Sequence, residues 1–470
     1  MNRDLTVVPL TELNMDPNKF KYTELVIDIV GNVDSGKSSL CGILSHPQIN
    51  QFINYMTSID CKDSTELNKT PINKTPVNKN PINKENINKE SILEILDDGN
   101  GSARSRIVKL QHEKSSGRTS SITYYPIVFN EYNQIPKIVS LVDLAGHEQY
   151  LKTTITGIIS SYPEYGLVLI AKAITHMTRE HFAILASIGI PVLFILTKHD
   201  IVSSKIINEN IKNIETMSKR FGRSLLEIKN TDDTNQCIDN NNKIYGFVRV
   251  SNKTGMGIPI LLDYISKIKQ KPKNLINGFA IDRFYYNITG FGMVATGITG
   301  TTIKKGDNMV LGPFEGNLYI PVKIRTIHDD FKNFVDILPS GFRGCLCIKF
   351  DDAFKSFLRV GMVITHKKSD VNSVKKFEAH VAIFRGKSSN IKIGYNSYIN
   401  VGLTRGAIKF NRIRDKDTGS DIDVLNTNKH AHIDLEFMAG YACLNINDRF
   451  LFRSHRTHGI GKVVALITAE

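Results

Sequence analysis

The hydrophobic pattern is densest between Leu25 and Leu44, where LVIDIVGNVDSGKSSLCGIL runs from an unbroken apolar stretch through a glycine-framed polar loop into apolar positions at helical spacing. This predicts strand, loop and helix. Ile138–Val142 repeats the buried-strand pattern and breaks after Asp143 at Gly146, before a helix. YGLVLIAKA, the helical TREHFAILASIG and the buried PVLFIL follow. The spacing from Ile201 to Ile228 predicts helix, Lys229–Lys243 an Asn-rich loop, YGFVRV a strand and IPILLDYISKIKQ a closing helix. Strands alternating with helices predict an α/β domain with a mainly parallel sheet covered on both faces. After KPKN, at 271–274, short β-patterned runs separated by glycine turns replace the helical spacing, and two consecutive β-barrels are expected. The expected boundaries are 1–21 for an N-terminal arm, 22–274 for the α/β domain, 275–372 for the first barrel and 373–470 for the second.

Within the α/β domain, Asn68–Ile92 holds five copies of a five-residue unit: NKTPI, NKTPV, NKNPI, NKENI and NKESI. That period fits neither helix nor strand, and one aliphatic per copy buries too little surface to offset chain entropy. A disordered insert over about 62–100 is expected. The net charge of +14 is uneven: from Ile276 onward there are 27 Lys and Arg against 18 Asp and Glu, leaving +9 there. That surplus points to a polyanion such as RNA, against an evenly solvated basic surface. The six cysteines contain no C-x-x-C pair, which points to reduced thiols. Neither a signal core nor ~18 uninterrupted apolar residues occurs, so a cytoplasmic protein, with no membrane partner, is expected.

Gly31, Gly36, Lys37 and Ser38 fit G-x-x-x-x-G-K-[ST], and the whole loop Gly31, Asn32, Val33, Asp34, Ser35, Gly36, Lys37, Ser38 and Ser39 is assigned to phosphate. Glycines let successive N–H groups turn inward, Lys37 neutralises the outer phosphates, and Ser38 offers a hydroxyl to Mg²⁺. TKHD then selects the base: Asp200 accepts from N1–H and the 2-amino group of guanine, donors that adenine lacks. Lys198 lays its stem over the base beside Thr197, and Ser251, Asn252 and Lys253 close the other edge. Asp143 is expected on the Mg²⁺ side and Gly146 to present its N–H to the γ-phosphate, while His147 either faces the attacking water or simply begins a helix. Thr119 is chosen as the loop hydroxyl that closes over the metal, with Ser120, Ser121 and Thr123 as competitors.

GNVDSGKSSL, SGRTSS, DLAGHEQYLKTTITG, TREH, TKHD and SNKTG, in that order, resemble the translational GTPases of the elongation factor Tu and 1-alpha type, and DLAGHE with SGRTSS resembles their GTP-binding protein 1 and 2 subfamily. KKGDNMVLGP and RFLFRSHRTHGIGKVVAL resemble that family's second and third domains. The resemblance implies a monomeric, Mg²⁺-dependent switch that binds GTP or GDP and hydrolyses GTP, with RNA or the ribosome as partner. It implies His147 as the water-positioning histidine and Asp34 at a position that helps bind a monovalent cation. Three departures stand out: Thr197 where many GTPases carry Asn, Asn252 in place of a small residue, and the repeat insert ahead of Thr119. No internal arginine is singled out to offset transition-state charge, so slow turnover is expected from the isolated chain, on the order of 10⁻⁴ to 10⁻² s⁻¹. The competing function is a GTP-binding adaptor for an RNA-processing or decay complex, with hydrolysis incidental.

Overall fold

The computed structural model describes residues 5–8, 22–54, 56, 94–131, 135–384, 391–416, 418–426, 430–453 and 458–467. The first part is an eight-stranded sheet. Its strands are β1 (Leu5–Val8), β2 (Thr23–Gly31), β3 (Thr123–Glu131), β4 (Lys137–Asp143), β5 (Tyr165–Ile170), β6 (Val192–Leu196), β7 (Ser224–Glu227) and β8 (Ile244–Arg249), in spatial order β1-β3-β4-β2-β5-β6-β8-β7. Only β1 and β3 run antiparallel to their neighbours. β5 and β6 are buried along their whole length, and β2 everywhere after its first residue. Such strands read as continuous apolar runs because helices cover both faces of the sheet. On one face Leu25, Ile27 and Ile29 pack with Leu40, Cys41, Ile43 and Leu44 of the helix Lys37–Leu44. With β2, β4, β5, β6 and β8 parallel, their carboxyl ends share one edge of the sheet, which is where such folds place their ligand.

Four expectations are corrected. The arm before residue 22 contributes an edge strand, β1, paired with β3 over Val128–Glu131. The expected helix to Ile228 ends at Lys219 and gives way to β7, because Leu225, Leu226 and Ile228 satisfy strand and helix spacing alike. The expected Asn-rich loop contains a helix, Thr231–Asp239. Asn230 caps it by accepting from the Asp232 and Asp233 amides at 2.9 Å each, those two carboxylates sit in the first turn, and Thr234 and Cys237 face inward. Finally, the insert ends earlier than residue 100: Ile95 and Leu96 are buried in the domain core, and the Asp97 amide donates to the Asn252 carbonyl at 2.9 Å. The Asn-Lys repeat lies outside the described residues.

The second part holds the two barrels. In the first, the strands Phe279–Ile288, Gly292–Thr299, Arg343–Lys349, Ile320–Asp329, Asn308–Gly312 and Val363–Thr365 close through pairing of Asn308–Leu311 with Ile320–Lys323. In the second, Lys376–Phe384, His430–Phe437, Thr404–Asp415, Asn396–Val401, Arg449–Arg453 and His458–Ile467 form a closed ring. Residues alternate inward and outward, as Ala431, Ile433, Leu435 and Phe437 show by facing a core with Phe377, Phe410, Phe450 and Phe452. The fold is therefore an α/β domain followed by two closed six-stranded barrels, as the pattern predicted.

Candidate functional site

β2 ends in Gly31, where an added Cβ would stand 2.5 Å from the Leu169 carbonyl oxygen, so only glycine lets the loop leave the sheet there. Asp34 and Gly36 adopt left-handed backbone, with φ 58° and 83°, and curl the loop into the amino end of the helix Lys37–Leu44. Lys37 folds back over the loop, its Nζ donating to the carbonyls of Asn32 at 2.9 Å and Gly31 at 3.3 Å. Burial lowers its pKa, partly opposed by the nearby Asp143. Ser35 and Thr197 brace the loop: Ser35 Oγ donates to the Asn32 carbonyl, and Thr197 Oγ1 to the Ser35 carbonyl, both at 2.8 Å. Threonine at 197 therefore ties the end of β6 to the phosphate-type loop.

Three oxygens converge beside Lys37. Ser38 Oγ donates to Asp143 Oδ2 at 2.5 Å, lies 3.0 Å from Thr119 Oγ1, and Thr119 Oγ1 lies 3.4 Å from the same carboxylate oxygen. Asp143 is buried, which raises its pKa against the pull of Lys37, and its Oδ1 has no hydrogen-bond partner among the described residues. The competing hydroxyls are engaged elsewhere. Ser120 and Ser121 each donate both Oγ–H and backbone N–H to Glu113 Oε1, at 2.8–3.0 Å, and Thr123 pairs with Ser121. Gly146 lies close behind: a Cβ there would be 2.5 Å from both Lys37 Nζ and the Gly31 carbonyl. His147 Nδ1 accepts the Gln149 amide at 3.1 Å, capping the short helix Glu148–Tyr150.

At the other end, Ser251 Oγ donates to Asp200 Oδ1 at 2.6 Å and accepts from the amides of Lys253 and Thr254. That leaves Asp200 Oδ2 for a ligand. Lys198 has φ 58°, and Asn252 Nδ2 donates to the Gly36 carbonyl at 3.2 Å, joining this loop to the first. A cavity of about 500 Å³ connects the two ends. Val33, Asp34, Gly36, Lys37, Ser38 and Ser39 line it with Thr119, Gly146, His147, Lys198, Asp200, Asn252 and Lys253, whereas Gly31, Asn32, Ser35, Asp143, Thr197 and Ser251 stand behind the wall.

The sequence profile of the family described as "Elongation factor Tu GTP binding domain" matches residues 24–271, over half the chain. The chain belongs to the elongation factor Tu GTPase family. It is 24% identical to GTP-binding protein 1 of Xenopus laevis, over 95% of this chain and 64% of that protein, and 23% identical to human GTP-binding protein 2, over 100% and 73% respectively. The chain thus spans less than two thirds of the Xenopus protein. Translation elongation factor SelB from Methanococcus maripaludis, in complex with the GTP analogue GppNHp, matches with a TM-score of 0.60 over 95% of this chain and 80% of its own, at 17% identity. At that identity the likeness carries the fold, including the barrels. The chain is a GTP-binding, elongation-factor-like member of the translational GTPases.

The cavity is also lined by residues the sequence did not reveal: Asp97, Asn100, Arg104, Arg118 and Ile201. The signal for the first two was D-D-G-N-G, a run of turn formers. Asp97 Oδ1 accepts from the Gly99 and Gly101 amides at 2.8 and 3.1 Å, folding the turn beside Lys253. Three of the basic residues between Arg405 and Lys416 are paired with carboxylates. Arg412 makes a two-point pair with Asp421, at 2.8 and 3.1 Å, Arg414 pairs with Glu378 and Asp434, and Arg405 faces Asp282 at 3.6 Å. What the second barrel does present is a cross-strand row, in register, of Arg449, Lys462, His380, His432 and Arg414. Among the described residues no helix is long and apolar enough to cross a membrane.

Proposed function

We propose that this chain is a Mg²⁺-dependent GTP hydrolase that uses the GTP/GDP difference as a conformational switch and acts on RNA or the ribosome. The observation that carries it is the convergence of Ser38, Thr119 and Asp143 beside Lys37, at the opposite end of one cavity from Asp200. Two hydroxyls and a buried carboxylate with an unused oxygen are the donor set of a hard cation that also takes phosphate oxygens. Ser38 and Thr119 would hold Mg²⁺, with Asp143 behind them, and the ion would supply charge neutralisation at the β- and γ-phosphates. Asp34, exposed in the loop, is the residue for a monovalent cation.

Asp200 selects guanine, and Lys198, Asn252 and Lys253 border the base. In the neutral ring, acceptance of the Gln149 amide by His147 Nδ1 puts the proton on Nε2. His147 therefore orients water by donating, rather than by removing its proton. Arg449 and Lys462, exposed and directly opposite each other on the second barrel, support a polyanionic partner. The test is nucleotide titration followed by turnover with and without ribosomes. Preference for GTP and GDP over ATP, with ribosome-stimulated hydrolysis, is expected. GTP binding without stimulation would return the adaptor reading.

A further inference from the structure

Two arginines on the cavity wall, Arg104 and Arg118, have no role so far, and the first is anchored by a helix. Arg104 belongs to the helix Ser102–Ile107, which packs on the helix after the phosphate loop so closely that a Cβ on Gly42 would stand 2.2 Å from the Ala103 carbonyl oxygen. That contact fixes Arg104 on the cavity wall with Lys37 and Ser38. Its Nη2 donates to the Glu113 carbonyl at 2.8 Å, and its Nη1 lies 3.7 Å from the place a Gly117 Cβ would occupy, two residues before Thr119. The guanidinium is thus at the Ser38–Thr119 end of the cavity and away from Asp200. Among the described residues no carboxylate forms an ion pair with Arg104. Arg106, one turn-half further on, is by contrast spent on the Glu94 and Ile95 carbonyls, at 2.6 Å each. Arg104 thus adds a second cation beside Lys37 on the wall of the cavity that the phosphates of GTP would enter.

Resting on the GTP reading above, we propose that Arg104 is an in-chain cation that contacts the phosphates of bound GTP and stabilises the charge developing during hydrolysis. As the water oxygen bonds to the γ-phosphorus, the bond from that phosphorus to the β–γ bridging oxygen breaks. The electron pair passes to GDP, and the water's proton leaves with the phosphate product. A guanidinium held in advance by a rigid helix opposes that charge without reorganising. The tie to Glu113 gives the contact a second effect, because the Glu113 carboxylate holds Ser120 and Ser121 and so positions the Thr119 segment.

The test compares wild type, Arg104→Gln and Arg104→Lys for single-turnover hydrolysis with Mg²⁺, affinity for fluorescent GTP and GDP, and thermal midpoint. Glutamine keeps a donor for the Glu113 carbonyl while losing the charge. The expected result is a rate about 10²-fold lower for Arg104→Gln, an intermediate rate for Arg104→Lys, and GDP affinity and midpoint unchanged in both. Arg104→Gln turning over at the wild-type rate overturns the proposal, as does a rate loss matched by loss of GDP affinity and midpoint, which assigns Arg104 to the Glu113 tie alone. Wild type that binds ATP as well as GTP instead refutes the GTP reading, and this proposal falls with it.

Discussion

At the residue scale, the proposed guanine specificity rests on one carboxylate with one oxygen left for the base. Asp200 gives Oδ1 to Ser251 and keeps Oδ2 for the ligand. Asparagine there still accepts from Ser251 but presents a donor, so Asp200→Asn should lose about 10²-fold or more in GTP affinity and gain xanthine nucleotide affinity. Competition between GTP and XTP reads this directly, and an unchanged ratio refutes the guanine assignment. At His147 the backbone has taken Nδ1, so a side chain with an N–H donor should partly replace the ring. His147→Gln is expected to retain some ribosome-stimulated turnover, whereas His147→Ala loses about 10²–10³-fold, with GTP affinity kept in both. Equal turnover in the two variants would show that no donor is needed there.

At the scale of elements, the segment bearing Thr119 is held by Glu113, a buried carboxylate in the helix Gln111–Ser116. Burial alone would raise its pKa, but the four donations from Ser120 and Ser121 outweigh it and leave the carboxyl below its ordinary value. A depressed folded-state pKa stabilises above the unfolded value near 4.3 and is lost as pH falls through the folded one. The protection factors of the Ser120 and Ser121 amides, taken against the unfolded-chain rate at each pH, should therefore fall in acid, and Glu113→Gln should show the low protection already at neutral pH. Protection that survives this substitution would show the segment to be held otherwise. This clamp marks the limit of sequence reading. The phosphate loop, TKHD and the parallel sheet were legible because each is a contiguous run whose spacing carries its own geometry. Glu113, Asp97 and Arg104 were not, since their contacts arise only when the short segments after the repeat fold against their neighbours, as the helix Ser102–Ile107 does on the helix Lys37–Leu44. The helix Thr231–Asp239 was missed for a related reason: its cap and charges make it helical, and only two of its residues are buried.

At the scale of the whole molecule, charge on the second barrel couples to pH and salt. His380 and His432 share a hydrogen bond through their Nε2 atoms. Burial, then His432, Lys416 and Lys462, lower the His380 pKa against the pull of Glu378. Its contribution to stability is present above about 6.5 and lost as pH falls through the folded value. The thermal midpoint should decline in that range, less steeply for His380→Gln; parallel curves would remove His380 as the cause. If the row contacts phosphates, exchanging Lys462 and Arg449 for Gln should lower the log–log salt slope of RNA binding by about 1.5, measured by filter binding, with GTP affinity unchanged. Association independent of salt would discard the row as an RNA surface. The strand Leu5–Val8 bears on how the molecules behave toward one another. By pairing with Val128–Glu131 it puts a four-residue strand outermost in place of the nine-residue Thr123–Glu131, and a short edge is a poorer template for an extended chain. Shortening the chain by its first nine residues should turn a freely dispersed protein into one that scatters light more strongly as concentration rises, through strand-to-strand adhesion between copies.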